Sequence, residues 1–239
     1  MLRDVLELVL PRSCGGCGIS GQRCCSDCLR AINDLSPRLA SPQPVPTGMP
    51  TTWAGAAYEG VIRRVIVAWK DRDRVDLSMV LTPLLCGTLR VAMDASPQWS
   101  AAAAQADSVA VIAVPSRATG TRARGRFPVG DLVDQLVGAQ RGPRPLLRRV
   151  DALRFGRSVA DQAGLDQYQR GENIAGAMRL RCRADDDLRD VPMIVVDDIT
   201  TTGSTLAEVS RTLQTVARGP LLAITVAATA RRGTTHARL

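Results

Sequence analysis

Two adjacent carboxylates, Asp197 and Asp198, stand between a short apolar run and a turn that is rich in hydroxyl groups. Carboxylates do not bind phosphate, but they accept hydrogen bonds from sugar hydroxyls or help to hold a hydrated Mg²⁺. Gly203, within the turn, permits close approach of a ligand to the backbone. The hydroxyl groups, which can donate to phosphate oxygens, belong to Thr201, Thr202, Ser204 and Thr205. Phosphate donors beside acceptors for sugar hydroxyls describe a site for a ribose 5-phosphate.

The flanking residues predict the elements that hold this turn in place. Residues 193–196 are apolar and rich in β-branched side chains, which is typical of a strand buried on both faces. Residues 206–216 have helical spacing, and the free N–H groups at the start of a helix favour an anion. The predicted order is strand, acidic tip, loop and helix, at the edge where open α/β sheets bind ligands. The alternative interpretation is an ordinary strand-to-helix turn.

Four cysteines near the N-terminus form two Cys-x-x-Cys pairs, which fit a tetrahedral zinc site. Disulfide bonds, which a cytoplasmic chain disfavours, a redox pair and an iron–sulfur cluster are the other interpretations. Because so short a segment has little core, a metal would supply much of its folding free energy. The predicted ligands are Cys14, Cys17, Cys25 and Cys28, with Cys24 as the alternative to Cys25.

Composition restricts the classes of function. The 239 residues carry a formal net charge of +8, which favours anionic partners such as a nucleotide, pyrophosphate or nucleic acid. Lys70 is the only lysine and lies in Trp-Lys-Asp, so the Gly-Lys-Ser/Thr of a P-loop is absent. The single histidine, His236, lies in a polar tail, which argues against histidine-based catalysis.

The N-terminal apolar run is broken by Asp4 and Glu7, which argues against a secretory signal. No apolar run in the sequence is long enough to indicate a membrane span. We therefore expect a soluble, cytoplasmic protein that does not insert into a membrane.

Proline density and periodicity divide the chain into four predicted parts. Residues 1–36 form the cysteine segment, 37–52 a proline-rich connector, 53–233 an α/β domain and 234–239 a tail. Strands and helices alternate in the third part, which predicts a largely parallel sheet flanked by helices. We expect the alanine-rich residues 96–106 to form a loop, and Pro83 to kink or delay a helix over 77–93. The predicted strands cover 53–58, 109–114, 146–150, 177–182, 192–196 and 221–229, and further helices cover 1–10, 61–69 and 129–137.

Residues 193–205 resemble the motif that binds 5-phosphoribosyl-1-pyrophosphate (PRPP) in type I phosphoribosyltransferases. That motif has apolar residues, two acidic residues, two variable positions, Thr-Thr-Gly, one variable position and Thr. The resemblance implies a type I phosphoribosyltransferase fold, in which the acidic pair binds the ribose hydroxyls and the loop binds the 5-phosphate. The fixed positions correspond to Asp197, Asp198, Thr201, Thr202, Gly203 and Thr205, and Thr200 and Ser204 lie at variable positions of the same binding stretch.

Further segments are similar to one branch of that group, the ComF-type phosphoribosyltransferase-like proteins associated with DNA uptake in competent bacteria. The cysteine pairs match the zinc ribbon of that branch, and Tyr58-Glu59-Gly60 with Lys70 matches its segment of tyrosine, turn, helix and lysine. Residues 114–125 resemble its basic loop, and residues 161–177 resemble its polar stretch before a strand. Where the branch often has a histidine after the strand and proline, this chain has Ser116.

The resemblance implies Mg²⁺-dependent transfer of phosphoribose from PRPP to an unidentified nitrogen acceptor, with Asp197, Asp198 and Lys70 as catalytic residues. Lys70 and Arg72 would serve the pyrophosphate, and a solvated charged loop is the alternative for both. A flexible basic loop would close over the leaving group or bind nucleic-acid phosphates, and scattered surface arginines are its alternative. The arginines of this loop are Arg117, Arg122 and Arg124, with Arg126 at its end.

Two other hypotheses follow from the same features. One is a PRPP- or nucleotide-responsive binding protein with little catalysis, whose partner would be single-stranded DNA or the DNA-uptake machinery. The other is a structural role in which the zinc ribbon docks a partner. A homodimer is compatible with each hypothesis. The scarcity of aromatic residues weakens a strong single-strand binder and leaves the acceptor unidentified.

Overall fold

The computed structural model describes residues 13–116, 125–140, 146–156, 174–182 and 184–229. They form a mixed α/β fold, in which helices flank a mostly parallel sheet of six strands and a cysteine cluster lies near the N-terminus. The fold class predicted from the alternation of apolar segments is confirmed at this level. Residues 1–10, for which a helix is predicted, lie outside the described residues.

The elements have the following bounds in chain order. The helices are α1 (Ser26–Asn33), α2 (Gly60–Asp71), α3 (Ser78–Asp94), α4 (Pro97–Gln105), α5 (Pro128–Gly138), α6 (Ala184–Leu188) and α7 (Ser204–Leu213), and a 3-10 turn (Val75–Leu77) precedes α3. The strands are β1 (Arg38–Leu39), β2 (Thr52–Ala57), β3 (Ser108–Ala113), β4 (Leu146–Arg149), β5 (Leu153–Phe155), β6 (Met178–Leu180), β7 (Met193–Thr200) and β8 (Leu221–Ala228).

The order of the strands creates a crevice at one edge of the sheet. The order is β1-β2-β8-β7-β3-β4, in which β1 is antiparallel to β2 and all other neighbours are parallel. From β3 the chain moves outward to β4, whereas β7 lies on the other side of β3 and leads on to β8. The carboxyl ends of β3 and β7 therefore form a topological switch point, which is where open α/β sheets bind ligands.

Apolar side chains cover both faces of the sheet. On one face the strands pack against α2, α3, α4 and α5, with Trp69, Leu81 and Leu132 fully buried. On the other face they pack against α6, α7 and the β5–β6 hairpin, where Met178 and Leu188 are fully buried. Since burial on both faces suits a parallel sheet, the short apolar runs of the sequence belong to its central strands.

The alanine-rich segment that was expected to be a loop is helix α4. Pro97 occupies the first turn, where a proline needs no hydrogen-bond donor. Trp99 and Ala103 are one helical turn apart and both are buried. The indole N–H of Trp99 donates to the carbonyl of Met193 over 3.2 Å. The loop prediction was wrong because one buried tryptophan anchors a segment that has little amphipathic pattern of its own.

Two short strands lie outside the main sheet. β5 was not predicted, and β6, predicted over residues 177–182, pairs antiparallel with β5 alone among the described residues. Leu153 of β5 and Met178 of β6 are buried against the face that carries α7. The acidic residues 185–187, read as a turn, belong to α6.

One helical stretch, Val75–Asp94, is long and apolar enough by composition to cross a membrane, with a mean hydropathy of 1.4 over its most apolar window. Half of that window is buried inside the protein. The stretch contains α3, whose Leu81 and Leu85 are fully buried in the core against the sheet. Pro83 lies inside α3 without ending it. The apolar character of this stretch is accounted for by its position as a core helix.

Candidate functional site

β7 carries the acidic pair beyond the end of its neighbour β3. β3 pairs with β7 as far as Ala113 and Val196, whereas β8 pairs with β7 as far as Thr200. Asp197 and Asp198 therefore belong to the strand, and the prediction that it ends at residue 196 was wrong by four residues. The strand continues because residues 199 and 200 are β-branched and pair with β8. Within the described chain, no ladder partner covers the other edge of residues 197–200.

The two carboxylates point to opposite faces of the sheet, since successive side chains alternate along a strand. Asp198 lies on the face of α2 and is 4% exposed, whereas Asp197 is half-buried. Each turns one oxygen back to the strand: Asp197 Oδ1 accepts from the N–H of Asp198 over 2.8 Å, and Asp198 Oδ1 from that of Ile199 over 2.9 Å. Burial, reinforced by the charge of Asp198, raises the pKa of Asp197 well above its usual range.

Lys70 reaches this acidic pair from the last turn of α2. Its Nζ forms an ion pair with Asp198 Oδ2. The side chain of Lys70 is 34% exposed and that of Asp198 is 6% exposed, so solvent enters from the lysine side. Desolvation acts to lower the pKa of Lys70, but the charge of Asp198 and its hydrogen bond outweigh this and raise the pKa. The structure thus brings together three residues that the sequence singled out.

The turn after β7 depends on Gly203. This residue has φ 77° and ψ −5°, a left-handed conformation that favours glycine, and it is the N-cap of α7. A Cβ at this position would collide with Met49 Sδ and lie 3.1 Å from Pro42 Cγ. Both residues belong to the proline-rich connector, so the connector covers part of the turn. This contact was not predictable from the sequence, because proline-rich composition indicates a linker but not the surface against which the linker packs.

The hydroxyl groups of the turn differ in exposure. Thr201 is exposed, whereas Thr202, Ser204 and Thr205 are half-buried. The Oγ atoms of Thr202 and Ser204 lie 3.1 Å apart. Thr200 is 4% exposed, and its Oγ1 has no hydrogen-bond partner among the described residues. With no side chain at the N-cap, the first turn of α7 presents its N–H groups beside these hydroxyls, as an anion site requires.

The arginines that were predicted to serve the site do not join Lys70 at the acidic pair among the described residues. Arg72, two residues after Lys70, is exposed and lines a cleft beside the cysteine cluster. Arg126 is 13% exposed and bonds Asp73 and Asp131, and its guanidinium lies 5.6 Å from the centroid of the Trp69 ring. Arg126 thus clamps α5 to the end of α2. The loop residues Arg117, Arg122 and Arg124 lie outside the described residues.

The four predicted metal ligands converge. The Sγ atoms of Cys14, Cys17, Cys25 and Cys28 all lie within 4.8 Å of one another, a set that could hold a metal ion such as structural zinc. Cys25 is a member and Cys24 is not, which settles the alternative between them in favour of the Cys-x-x-Cys spacing.

Backbone donors already favour a thiolate in this cluster. The N–H groups of Gly16 and Cys25 donate to Cys14 Sγ, each over 3.3 Å. Although desolvation acts to raise it, such backbone hydrogen bonds lower the pKa of Cys14 to about 6. Burial raises the pKa of Cys24 to about 12, so this neighbour stays a thiol. Burial raises the pKa of Cys28, and the pKa of Cys17 is also raised, so Cys14 is the ligand that the protein itself prepares as a thiolate.

The cysteine segment is packed against the α/β domain. A Cβ on Gly16 would lie 2.6 Å from Cys28 Sγ and 2.8 Å from a methyl group of Val61 on α2. Arg64 of α2 donates to the carbonyl of Gly16, and Arg74 donates to that of Ser13 over 2.7 Å. β1, which lies in the connector, pairs with β2 at the edge of the sheet. The predicted domain boundaries stay a prediction, but contacts cross the two that flank the connector.

Two regions of the described chain thus gather side chains that could bind a ligand or a metal. One is the tip of β7 with Lys70 and the turn before α7, and the other is the cysteine cluster. Comparison with protein-family models gives no match, and no curated protein matches the chain. What the geometry supports by itself is an acidic pair beside a hydroxyl-rich turn at the start of a helix in an α/β sheet, with a separate cluster of four cysteines that could hold a metal ion.

Proposed function

We propose that the chain binds PRPP at the tip of β7 and transfers its phosphoribosyl group to a nitrogen nucleophile, with release of pyrophosphate. The observation that carries this proposal is the placement of Asp197, Asp198 and Lys70 beside the turn at Gly203, at the switch point of the sheet. A type I phosphoribosyltransferase fold and an N-terminal zinc ribbon are the finer descriptions that go with it.

Each part of the site has a role in this reaction. The N–H groups at the start of α7 and the hydroxyls of Thr201, Thr202, Ser204 and Thr205 bind the 5-phosphate. Asp197 and Asp198 accept hydrogen bonds from the ribose hydroxyls. The fit for the phosphate rests on the start of α7, whose N-cap Gly203 has no side chain, and on the buried, unpartnered Oγ1 of Thr200 in the preceding strand. A phosphate would replace the long contact in which the N–H of Ser204 donates to Thr202 Oγ1 over 3.4 Å.

The chemical step exchanges one bond at C1 of the ribose. The lone pair of the acceptor nitrogen forms the new C1–N bond, the C1–O bond to pyrophosphate breaks, and its electron pair leaves with the pyrophosphate. The nitrogen then loses its proton to solvent or to the pyrophosphate. Negative charge grows on the leaving group and positive charge on the ribose, so carboxylates near the sugar stabilise the transition state. Lys70 supplies the cation of the described site. Arg72, predicted as a second cation for the pyrophosphate, lines the cleft beside the cysteine cluster instead.

Mg²⁺ belongs to the proposal through the chemistry of the ligands. Carboxylates and phosphate oxygens are the hard donors that Mg²⁺ takes, and it keeps several waters when it binds. Asp197 and Asp198 are the candidate carboxylates, and PRPP would supply the other oxygens. The bound metal would neutralise part of the charge on the pyrophosphate. The raised pKa of Asp197 weakens its part in this while PRPP is absent.

Binding without turnover is the second candidate function, and the ion pair between Lys70 and Asp198 favours it. While Lys70 is paired in this way, its charge is turned toward the acidic pair and away from a leaving group. A protein of this kind would respond to PRPP or a nucleotide and act in DNA uptake or handling. Single-stranded DNA, the uptake machinery, a homodimer and a cytoplasmic location stay proposals of this candidate.

A pyrophosphate-release assay separates the two candidates. The zinc-loaded protein is incubated with PRPP, Mg²⁺ and a panel of nucleobases and amines, and pyrophosphate is measured. Release with at least one acceptor, lost in Lys70→Met, is the result expected of the enzyme. PRPP binding without release from any acceptor identifies the binding protein. Absence of both release and PRPP binding contradicts both candidates.

A further inference from the structure

A cleft of about 530 Å³ separates the cysteine cluster from α2. One wall is formed by residues 13–18, where three glycines at positions 15, 16 and 18 expose the backbone between Ser13, Cys14 and Cys17. The opposite wall comes from α2 and the turn that follows it. That wall carries a concentration of positive charge, contributed by Arg63, Arg64, Arg72 and Arg74.

Two of these arginines hold the cysteine segment in place. Arg64 donates to the carbonyl of Gly16. Arg74 makes two hydrogen bonds to the carboxylate of Asp76, each of 2.9 Å, and a third to the carbonyl of Ser13. The charge of Arg74 is therefore largely compensated by Asp76. Both arginines bind backbone carbonyls of the cysteine segment and so hold it against α2.

The other two arginines make no hydrogen bond or ion pair that would hold the cysteine segment, as far as the structure describes the chain. Arg63 and Arg72 are exposed, and no carboxylate or carbonyl within the described ranges accepts a hydrogen bond from either side chain. The guanidinium of Arg63 lies 5.9 Å from the centroid of the Tyr58 ring, which limits its freedom without using its donors. Two exposed arginines, whose donors have no carboxylate or carbonyl partner among the described residues, thus line one cleft.

We propose that this cleft binds phosphate groups, at a site separate from the tip of β7. The guanidinium fork matches the oxygens of a phosphate, and arginine is favoured where such oxygens are recognised in pairs. Of the described residues that line the cleft, none is aromatic, so nothing there stacks a base. The recognised chemistry is therefore the phosphate itself, in a nucleic-acid backbone or in a free polyphosphate.

The end of α2 separates the two sites. Lys70 turns to Asp198, whereas Arg72 and Arg74 line the cleft. Among the described residues, the cleft and the acidic pair share no side chain. The proposal consequently does not depend on PRPP binding at the tip of β7, and each can fail without the other.

The test uses the full, zinc-loaded chain and two probes: a fluorescein-labelled oligothymidylate, followed by anisotropy, and inorganic tripolyphosphate, followed by calorimetry. The variant is Arg63→Ala/Arg72→Ala. Its matched control is Arg90→Ala/Arg218→Ala, which removes two exposed arginines outside the cleft and the same charge. The Asp197→Asn/Asp198→Asn protein, which keeps all four arginines, serves as the control for binding at the tip of β7.

We expect the cleft variant to bind a probe about tenfold more weakly, while the matched control and the aspartate variant keep their affinity. For the oligonucleotide, the slope of log K against log salt should fall by about 0.7 for each phosphate that the variant no longer neutralises. Binding of oligothymidylate alone identifies a nucleic-acid strand as the source, and binding of both probes identifies any polyphosphate. Equal losses of affinity in the cleft variant and its control, or no binding of either probe, overturn the proposal.

Discussion

The tip of β7 and the cysteine cluster both gather reactive side chains, but they are held in place by different forces. The tip extends a strand of the central sheet, and residues 193–196 before it are fully buried. The cysteine cluster rests on a few turns, and the apolar contacts of its three buried cysteines are with Cys24 and Val61. The side chains at the tip are therefore positioned by the fold, whereas the four cysteines have few apolar contacts and could be held together by a metal ion.

Because of this difference, we expect the tip of β7 to bind a ligand and the cysteine cluster to have a structural function. A preformed site whose charges are partly compensated by one another, as Lys70 and Asp198 are, can exchange one partner for a ligand without unfolding. A closed set of four cysteines leaves no open position for a substrate, which is typical of structural zinc. The chemistry is therefore expected at β7, and the cluster is expected to shape the surface next to α2.

Removal of the metal is the strongest way to separate the two regions. Zinc contributes about 10–16 kcal/mol in small zinc-finger peptides, so a chelator should unfold residues 13–33 while the sheet persists. Hydrogen exchange followed by mass spectrometry should show that α1 loses protection while β7 and β8 retain it. Cys14→Ser should reproduce the effect, and Cys182→Ser, an exposed cysteine outside the cluster, should not. Unchanged protection of α1 after chelation would contradict the view that a metal holds the cysteine segment whereas apolar packing holds the sheet.

Substitution of Gly203 tests whether the connector packs closely against the turn that follows β7. Gly203→Ala should cost about 2–4 kcal/mol of unfolding free energy, from the left-handed backbone and from the collision with Met49. Gly48→Ala is a matched control, because Gly48 has φ 78° and open space around its Cβ position. It should cost about 1–2 kcal/mol, the backbone part alone.

The added substitution Met49→Ala should recover part of the stability that Gly203→Ala removes but none of the stability that Gly48→Ala removes. Urea denaturation of the five proteins gives these differences. Equal costs at the two glycines would mean that the connector does not press on the turn.

Removal of Lys70 tests how much its positive charge stabilises the buried carboxylate of Asp198 at the tip of β7. Lys70→Met leaves Asp198 buried without its cation, which costs about 3–5 kcal/mol for a fully buried pair. Because the lysine is partly exposed, we expect about 2 kcal/mol, measured by urea denaturation. Asp198→Asn in the Lys70→Met protein should restore most of that stability, since no charge is then left unpaired. Additive destabilisation in the double variant would contradict the ion pair.

The pH dependence of stability tests Asp197 alone. The folded state raises the pKa of Asp197 above its unfolded value, so between the two values the folded protein binds more protons than the unfolded one. Stability therefore falls as the pH rises from about 4 through the raised pKa, by up to about 1.4 kcal/mol per unit of pH. Asp197→Asn should remove this decline. Parallel stability curves for the two proteins, measured by denaturation from pH 4 to 8, would contradict it.

The parts of the fold that the sequence predicts are those in which one local pattern suffices. The spacing of Cys14, Cys17, Cys25 and Cys28 determines the cluster, and the apolar run before Asp197 indicates a buried strand. The pairing of Lys70 with Asp198 was not predictable as a contact, because it depends on how α2 packs over β7. Sequence order indicated only that both residues belong to one site.

The parts that the sequence analysis missed depend on tertiary contacts. α4 is a helix because Trp99 is buried against the sheet, although its alanine-rich composition has little periodicity. β6 was predicted as a strand without a partner, and Met178 and Leu180 pair with an unpredicted strand of three residues. Pro42 and Met49 contact the candidate site although proline-rich composition indicates a linker. In each case a neighbour that is distant in sequence decides the outcome.

Calorimetry with PRPP and Mg²⁺ tests the central claim most directly. The parent protein is compared with Asp197→Asn/Asp198→Asn and with Asp186→Asn/Asp190→Asn, which makes the same charge change at two exposed positions outside the site. We predict saturable PRPP binding by the parent and by the control, and at least a tenfold weaker affinity in the Asp197/Asp198 variant, since about 1.4 kcal/mol of interaction free energy corresponds to that factor. No binding by the parent, or unchanged binding by the Asp197→Asn/Asp198→Asn protein, would contradict a ribose-phosphate site at the tip of β7.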